Sequence, residues 1–418
     1  MTSTPLARHP LAYADFRAFW IARVCAMLGH SALVLALGWA VYDVARSTMS
    51  VREASLRLGL VGLVQFLPFL LLNPFTGLAA DRFDRRIVVR MTLVAQLACV
   101  GVLTAVGLGG PVPLWLLYTV AAGFAAARAF YMPAMNALAP SLVPTEVLPR
   151  AIATSAIAGR LGGILGPVLG GYAYARSPAF AYGATCALLG ASLGFHLLIR
   201  TRIAPKHSLP ASPWVMMREG LAYVRHNPIL LGAISLDMFA VLLGGVTALL
   251  PVFARDILHV GPDGLGHLRA ASSVGALATA LAMSWRPVKK DVGLVMLVSV
   301  GIYGLGTVVF GLSTSFYLSA ACLALLGAAD MVSVYIRQSL MQIATPDAMR
   351  GRVGAISSLF ISASNELGEL ESGLAAAALG PVAAVVVGGV ASMVIAAAWG
   401  RLFPALLEAK RFETVQRA

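Results

Sequence analysis

The chain has 418 residues and a formal net charge of +13, yet only 12% of its residues are charged, 59% are hydrophobic and the mean hydropathy is +0.83. Soluble globular domains are closer to half apolar, so this composition excludes an ordinary soluble domain. The basic residues form small scattered clusters and no basic domain, which argues against a nucleic-acid-binding protein.

The apolar residues come in blocks of about 20, which is the length that a helix needs to cross a bilayer. Backbone groups in hydrocarbon must be satisfied within the structure, so these blocks are predicted to be helices. Twelve spans are predicted, at 16–44, 55–80, 87–109, 112–140, 148–175, 178–200, 228–256, 262–285, 291–313, 314–342, 350–378 and 380–405. The sequence therefore predicts an all-α membrane protein with twelve transmembrane helices.

The stretch GLAADRFDRR, at 77–86, lies between the second and third predicted spans, and five of its ten residues are charged. Charges in a short loop often serve only to fix topology. We expect Gly77 to let the second span pack closely on a neighbour and Asp81 to meet the positive N-terminus of another helix. We expect Arg82, Arg85 and Arg86 to pair with acids of the other half of the protein.

The fifth predicted span contains GRLGGILGPVLGG, at 159–171. Gly162, Gly166 and Gly170 recur every four residues, which gives one smooth helix face on which another backbone can approach closely. Pro167 is expected to bend or loosen the helix at that point.

A polar connection follows the sixth span and includes SPWVMMREGLAYVRHN. Trp214, Met217, Leu221 and Val224 recur at helical spacing, with charged residues off that face. This pattern predicts an amphipathic helix on the cytoplasmic membrane surface.

The two parts of the chain show a weak internal repeat. A shift of 202 residues aligns Pro144 with Pro346 and Arg150 with Arg352. Parallel repeats of this kind build one large class of transporters. The chain is predicted to comprise an N-terminal six-helix half at 1–200, a cytoplasmic linker with an amphipathic helix at 201–226, and a C-terminal six-helix half at 227–418.

Ionisable residues inside spans are costly and suggest function. They are Arg23, His30, Arg128, Arg160, Asp237, Asp330, Arg337, Glu366, Glu369 and Glu371. Asp237 stands among apolar residues with no partner in its own span, which suits reversible protonation. We expect Asp237 with Glu366 or Glu369 to respond to protons, Arg128 to be a counter-ion or an anchor for an anionic substrate, and Arg337 to pair with Glu366 or Glu369. The simpler alternative is that these acids and arginines only neutralise one another.

The loop charges predict orientation. One set of loops and both termini hold 21 of the 31 lysines and arginines, which predicts that they are cytoplasmic. The opposite loops are assigned only six, namely Arg46, Arg52, Arg57, Arg176, Arg255 and Arg269. The expected location is the bacterial cytoplasmic (inner) membrane.

The 77–86 loop resembles the signature of the major facilitator superfamily, Gly-x-Leu-Ala-Asp-Arg-x-Gly-Arg-Arg. It matches at Gly77, Asp81, Arg82, Arg85 and Arg86, whereas Ala79 and Asp84 depart from the pattern. The resemblance implies a major facilitator fold of two pseudo-symmetric six-helix halves. It also implies that the loop charges latch the outward-open state and so form a gate and not a substrate site.

The glycine run resembles the fifth-span motif of the antiporter branch of exporters and matches at Gly162, Gly166, Pro167, Gly170 and Gly171. The fourth-span motif of proton antiporters is incomplete, because Thr119 stands where an arginine is expected. The segment from ATPDAMRGR to ELESG resembles enterobactin-type siderophore exporters, which implies a bulky, partly lipophilic substrate.

The sequence therefore predicts a secondary active transporter, namely a proton-coupled exporter of a drug or siderophore that works by alternating access as a monomer. An uptake carrier or a lysophospholipid flippase of the same fold remains open. A membrane enzyme is disfavoured because the chain contains no HExxH, GxSxG or P-loop pattern. No cofactor or metal is expected, since the four cysteines lie singly inside apolar blocks.

Overall fold

The computed structural model describes residues 9–201, 213–410 and 412, and this part of the chain is helical and contains no strand. Its α-helices are α1 (Ala14–Arg46), α2 (Val51–Arg82), α3 (Arg85–Gly109), α4 (Leu114–Leu138), α5 (Leu148–Arg176), α6 (Pro178–Leu197), α7 (Pro213–His226), α8 (Pro228–Leu243), α9 (Val246–Val252), α10 (Pro262–Trp285), α11 (Val292–Leu312), α12 (Phe316–Ala344), α13 (Asp347–Leu379), α14 (Pro381–Leu402) and α15 (Pro404–Glu408).

Ten helical segments of the described chain are long and apolar enough to cross a membrane. The two remaining predicted spans coincide with α10 and α13, which are 24 and 33 residues long but are not among these ten. The all-helical membrane fold is confirmed, and each of the twelve predicted spans has a helical counterpart.

The seventh predicted span, 228–256, is not one continuous helix. It breaks at Gly244 and Gly245, where α8 ends and α9 begins, and α9 is followed by a π-helical turn, Phe253–Ile257. The pair of adjacent glycines was the signal for this break, because glycine lowers the stability of a helix interior.

The chain divides into two compact units. The first comprises Met1–Ala40 and Leu67–Pro210, and the second comprises Val41–Phe66 and Ala211–Ala418. The division after Pro210 falls inside the predicted linker. Both α1 and α2 change unit along their length, because residues 41–66 pack with the second unit.

Helix α7 docks on its own unit, in addition to any contact with a membrane. Met217 and Val224 pack against Val353 and Ile356 of α13, and Glu219 lies 2.9 Å from Arg352. The side chain of Trp214, which was predicted to share this face, lies outside the described side chains.

The chain beyond α14 completes the core of the second unit. Leu406 and Ala409 are buried in one cluster with Val292 and Met296 of α11. The backbone N–H of Asp291 donates to the Lys410 carbonyl over 2.6 Å, which ties this segment to the start of α11.

Candidate transport site

A buried ion pair lies at the centre of the second unit. Arg337 Nη1 on α12 lies 2.7 Å from Asp237 Oδ2 on α8, and their side chains are 3% and 6% exposed. Burial of two charges is costly, and the attraction between them offsets that cost only at close range. The structure thus gives Asp237 a partner from another helix. It also pairs Arg337 with Asp237, where Glu366 or Glu369 was expected from the sequence.

A cavity of about 300 Å³ lies beside this pair within the same unit. Its polar wall is formed by Thr247, Ser272, Tyr303, Asp330, Asn365 and Glu369. These side chains come from α9, α10, α11, α12 and α13, so the cavity is a meeting point of most helices of the unit. Two of the predicted coupling residues, Asp330 and Glu369, line it.

A smaller cavity of about 20 Å³ is lined by both Asp237 and Asp330. It shares Tyr303 and Val241 with the large cavity. One water molecule needs about 10–15 Å³, so this cavity is large enough to hold one.

The break between α8 and α9 shapes one wall of the large cavity. Gly245 lines it, and a Cβ atom at this position would lie 2.0 Å from Ser372 Oγ of α13. The Tyr303 hydroxyl donates to the Gly244 carbonyl over 3.2 Å. Glycine is therefore required here by the close approach of α13.

Arg269 lies inside α10, although it was assigned from the sequence to a loop. It is an electrostatic neighbour of Glu369, which lines the cavity. An arginine that sequence reasoning missed thus interacts electrostatically with Glu369. Its position within the predicted span 262–285 was the available signal.

Glu366 lies outside the lining of the large cavity. Its backbone carbonyl faces Gly62 of α2, where an added Cβ atom would come within 2.3 Å of the oxygen. Gly59 and Gly373 approach each other in the same way, with 2.7 Å from a Cβ atom added at Gly59 to the Gly373 Cα. Residues 51–66 of α2 are therefore packed tightly on α13.

Arg128 belongs to the first unit and is exposed on α4. It is an electrostatic neighbour of the buried His30, whose Nε2 lies 2.7 Å from Gln96 Oε1. The rings of Phe124 and Tyr131 pack edge-on against the imidazole. Asp330 and Glu369 line the large cavity, Asp237 shares the small cavity with Asp330, and Arg337 pairs with Asp237. Arg128 belongs to a separate set of residues.

Two arginines of the 77–86 loop donate hydrogen bonds to backbone carbonyl groups of the first unit. Arg85 donates to the Ala137 carbonyl at the end of α4 over 2.9 Å, and Arg86 donates to the Arg200 carbonyl beyond α6 over 3.1 Å. Helix C-termini carry unpaired carbonyls and partial negative charge, which arginine side chains stabilise. These two contacts differ from the predicted pairing of these arginines with acids of the other half.

Asp84 is the acid that Arg86 meets, with 2.8 Å between Oδ2 and Nη2, and it also caps the N-terminus of α3. The hydrogen bonds from the Arg86 side chain hold the pKa of Asp84 below its ordinary value. The signature has glycine at this position, so the ion pair exists because this chain has an aspartate there.

The close packing expected at Gly77 is not found among the described residues, where a Cβ atom at that position would meet nothing within 4 Å. Arg82 is exposed at the end of α2, and the side chain of Asp81 lies outside the described side chains.

The glycine run on α5 makes the close contacts that its spacing predicts. Added Cβ atoms at Gly162, Gly166 and Gly170 would lie 2.5, 2.6 and 2.8 Å from atoms of Met27, Ser31 and Ala32 on α1. Pro167 and Gly171 are buried in the same helix, and Pro167 lies within its continuous span.

Comparison with known proteins agrees with this architecture. The sequence pattern of the Major Facilitator Superfamily matches residues 19–369. The chain belongs to this superfamily. Its members are transporters of small molecules, so the chain is a multi-pass membrane transporter and not an enzyme.

Relatives of this superfamily member include the Enterobactin exporter EntS of Citrobacter koseri, which is 28% identical over 97% of this chain and 94% of its own length. The Enterobactin exporter EntS of Escherichia coli O1:K1 is 27% identical over the same shares.

Solved structures share the fold. A bacterial homologue of the human lysosomal transporter Spinster, in an inward-facing and occupied conformation, has a TM-score of 0.75 at 13% identity and covers 97% of this chain and 99% of its own. The nucleoside transporter NupG has a TM-score of 0.74 at 13% identity and covers 93% of this chain and 100% of its own.

Proposed function

We propose that this chain is a proton-coupled exporter of a bulky, partly lipophilic compound of the siderophore or drug class. The observation that carries the proposal is the buried Asp237–Arg337 pair beside the acid-lined cavity of about 300 Å³. A substrate cavity that adjoins a titratable buried pair provides the two elements that proton-coupled transport requires.

Proton coupling would act through Asp237. Protonation converts its carboxylate to a neutral carboxyl group and leaves the Arg337 charge uncompensated, which is unfavourable in a buried site. The small cavity next to Asp330 supports transfer of the proton through one water molecule. Substrate in the large cavity would contact Tyr303, Asp330 and Glu369. It would therefore shift the protonation equilibrium of the Asp237–Arg337 pair.

The direction of transport and the substrate class rest on two features. The enterobactin exporters align with nearly the whole chain. The α5 glycines contact α1 as tightly as the exporter motif requires. Arg128, exposed on α4 inside a predicted span, would anchor an anionic or strongly polar group of the substrate.

We further infer that the protein works as a monomer by alternating access, with both termini in the cytoplasm. The 77–86 loop, including Asp81 and Arg82, would then lie on the cytoplasmic side and act as a gate. The excess of basic residues in that set of loops supports this orientation.

Proton movement in everted membrane vesicles tests the proposal. A panel of lipophilic drugs and catecholate chelators would be added to vesicles energised by respiration, with a pH-sensitive dye as readout. We expect one or more compounds to dissipate the pH gradient in vesicles that contain the protein and to have no effect in vesicles with Asp237→Asn.

Asp347→Asn is the matched control, because the Asp347 side chain is 87% exposed and lies at the first residue of α13, well before Asn365 and Glu369, which line the cavity from the same helix. This variant should respond as the unchanged protein does. If the protein is inserted and folded but no compound moves protons, the exporter proposal is wrong, and uptake or lipid flipping takes its place.

A further inference from the structure

The small cavity of about 20 Å³ takes its polar lining from α8, α11 and α12 of the second unit. Asp237 of α8 and Asp330 of α12 both line it. Its other polar side chains carry hydroxyl groups and are Ser299 and Tyr303 of α11 and Ser333 of α12. The side chains around this space therefore offer oxygen atoms as their only polar atoms.

Two of the three hydroxyl groups donate their hydrogen atoms to backbone groups outside this lining. The Ser299 hydroxyl donates to the Val295 carbonyl over 2.7 Å. The Tyr303 hydroxyl donates to the Gly244 carbonyl over 3.2 Å. A hydroxyl oxygen that has donated its hydrogen atom keeps lone pairs that can accept, and an ionised carboxylate can only accept. The lining is therefore rich in acceptors, which favours a cation in the cavity and disfavours an anion.

The third hydroxyl group has a hydrogen-bonding capacity that no described residue uses. Ser333 is 3% exposed, and its Oγ atom has no hydrogen-bond partner among the described residues. A buried polar group without a partner costs free energy, so natural proteins rarely leave one unsatisfied. Because Ser333 lines the small cavity, a ligand bound there would contact this hydroxyl oxygen.

The two carboxyl groups also favour a positive ligand. Two carboxylates that share one site repel each other, and a proton or a cation between them relieves the repulsion. Arg337 lies 2.7 Å from Asp237 Oδ2, and it follows Ser333 by one helical turn on the same face of α12. This arginine neutralises Asp237 from one side, while the cavity gives a second positive group access to Asp237 and Asp330.

The size and the atoms of the site decide which cation fits. Among the described residues, no group of three or more acids, histidines or cysteines could hold a metal ion, which disfavours transition metals. Calcium takes about six to eight oxygen ligands, and magnesium usually keeps several water molecules. A space of about 20 Å³ has no room for such waters, since each needs about 10–15 Å³. A small monovalent cation that has shed its water is the remaining class.

We propose that the small cavity is a sodium site in which the ion lies between the carboxylates of Asp237 and Asp330. The hydroxyl oxygens of Ser299, Tyr303 and Ser333 complete its ligands. The ion would hold Asp237 in its charged form and so favour the contact with Arg337. It would occupy the space that the proposed function gives to a water molecule, so the two exclude each other. Sodium binding needs neither a substrate nor a gradient, and it does not rest on the proposed export.

Thermal unfolding of the purified protein tests the site. Sodium, potassium and choline chloride would be titrated at equal ionic strength and constant pH, without a transported compound. A ligand that binds only the folded state raises the unfolding temperature in a saturable way. We expect sodium to raise it by roughly 2–4 °C once sodium exceeds its dissociation constant several-fold, and potassium and choline to have no such effect. Equilibrium dialysis against radioactive sodium should saturate at a single ion per chain.

Serine variants connect the binding to this cavity. Ser333→Ala removes the unsatisfied hydroxyl group and keeps both carboxyl groups, so it should weaken sodium binding by about tenfold without lowering the unfolding temperature in choline chloride. Asp330→Asn should abolish the binding. Ser364→Ala is the matched control, because Ser364 is 2% exposed in α13 and its hydroxyl donates to the Ile361 carbonyl over 3.0 Å. This control should bind sodium as the parent does.

Equal unfolding temperatures in sodium and choline, together with no bound radioactive sodium, would overturn the proposal. Equal stabilisation by potassium would also overturn it, since that result indicates a general effect of salt. Undiminished sodium binding by Asp330→Asn would place the ion elsewhere and would be equally decisive against this site. A protein that binds sodium but moves no protons in vesicles would lose the export proposal and keep the sodium site, and the reverse result would do the opposite.

Discussion

Asp237 and Arg337 join α8 to α12 through one ion pair in the interior of the second unit, with 2.7 Å between Oδ2 and Nη1. Both side chains are almost fully buried. The pair therefore holds α8 and α12 together. Because the contact depends on the charge of Asp237, protonation of that carboxylate would weaken it.

Removal of either member of this pair should destabilise the protein strongly. We expect Asp237→Asn and Arg337→Gln each to cost about 3–5 kcal/mol, because each leaves a buried group without its counter-charge. The double variant should cost much less than the sum of the two. Thermal unfolding in detergent, followed by tryptophan fluorescence, measures these differences.

The surface pair Asp347–Arg350 provides the comparison. Asp347→Asn should change stability by at most about 1 kcal/mol, as is usual for exposed pairs. Additive losses at Asp237 and Arg337 would show that the two side chains are not coupled.

Two glycines of α5 should respond to alanine with opposite signs. Gly166→Ala places a Cβ atom 2.6 Å from the Ser31 Cβ, whereas at Gly159 nothing lies within 4 Å. We expect Gly166→Ala to destabilise by about 1–3 kcal/mol through overpacking. Gly159→Ala should be neutral or stabilising by up to about 1 kcal/mol, since alanine favours a helix over glycine. The same thermal assay distinguishes them, and a loss of stability in Gly159→Ala would contradict the packing described.

A second pair of glycines lies in α2. Gly62→Ala would bring a Cβ atom to 2.3 Å from the Glu366 carbonyl, and Gly77→Ala meets no neighbour. Gly62→Ala should therefore lower both the unfolding temperature and the transport rate, while Gly77→Ala should leave the unfolding temperature unchanged or raise it. If purified Gly77→Ala also unfolded at a lower temperature than the parent protein, this result would show that Gly77 is closely packed as well.

Asp84→Gly restores the residue of the superfamily signature and removes a helix cap. We expect a small loss at neutral pH: about 0.3 kcal/mol for the cap, because glycine is itself tolerated as an N-cap residue, and up to about 1 kcal/mol for the lost ion pair with Arg86. Because the pKa of Asp84 is lower in the folded protein than the ordinary 3.8, its contribution is present above that value. The contribution disappears as the pH falls through the folded pKa.

Unfolding temperatures of the parent and of Asp84→Gly, measured from neutral to acidic pH, should therefore converge at the acidic end. A difference that persists there would mean that the Asp84 charge plays no part. Glu408→Gln, an exposed acid in α15, controls for the general effect of removing a carboxylate.

The membrane class, the span positions and the close α1–α5 contact could be predicted from the sequence, because each depends on local composition or on spacing along a single helix. Helix partners depend on three-dimensional neighbours. Arg337 lies within the predicted tenth span, and nothing in the chain order distinguishes Asp237 from Glu366 as its partner. For the same reason, the sequence did not identify the partner of Arg86, which is Asp84, two residues away and not in another helix.

The ion pairs Arg46–Asp256 and Asp43–Arg255 illustrate the limit most clearly. In the sequence, Arg46 and Arg255 are recognisable only as loop charges that set orientation, and their partners are more than 200 residues distant in the chain. The two segments end the first spans of the two halves, and a repeat in the sequence does not show that such ends meet.

The backbone bond between Asp291 and Lys410 also has a consequence for biosynthesis. The start of α11 is synthesised long before residues 404–410, so its contacts with Leu406 and Ala409 stay unmade while α12, α13 and α14 enter the bilayer. Domains tend to fold as units as they emerge during synthesis. The second unit can therefore complete its folding only when α15, which is made last, packs against α11. A premature stop after α14 should yield an inserted chain that quality-control proteases recognise.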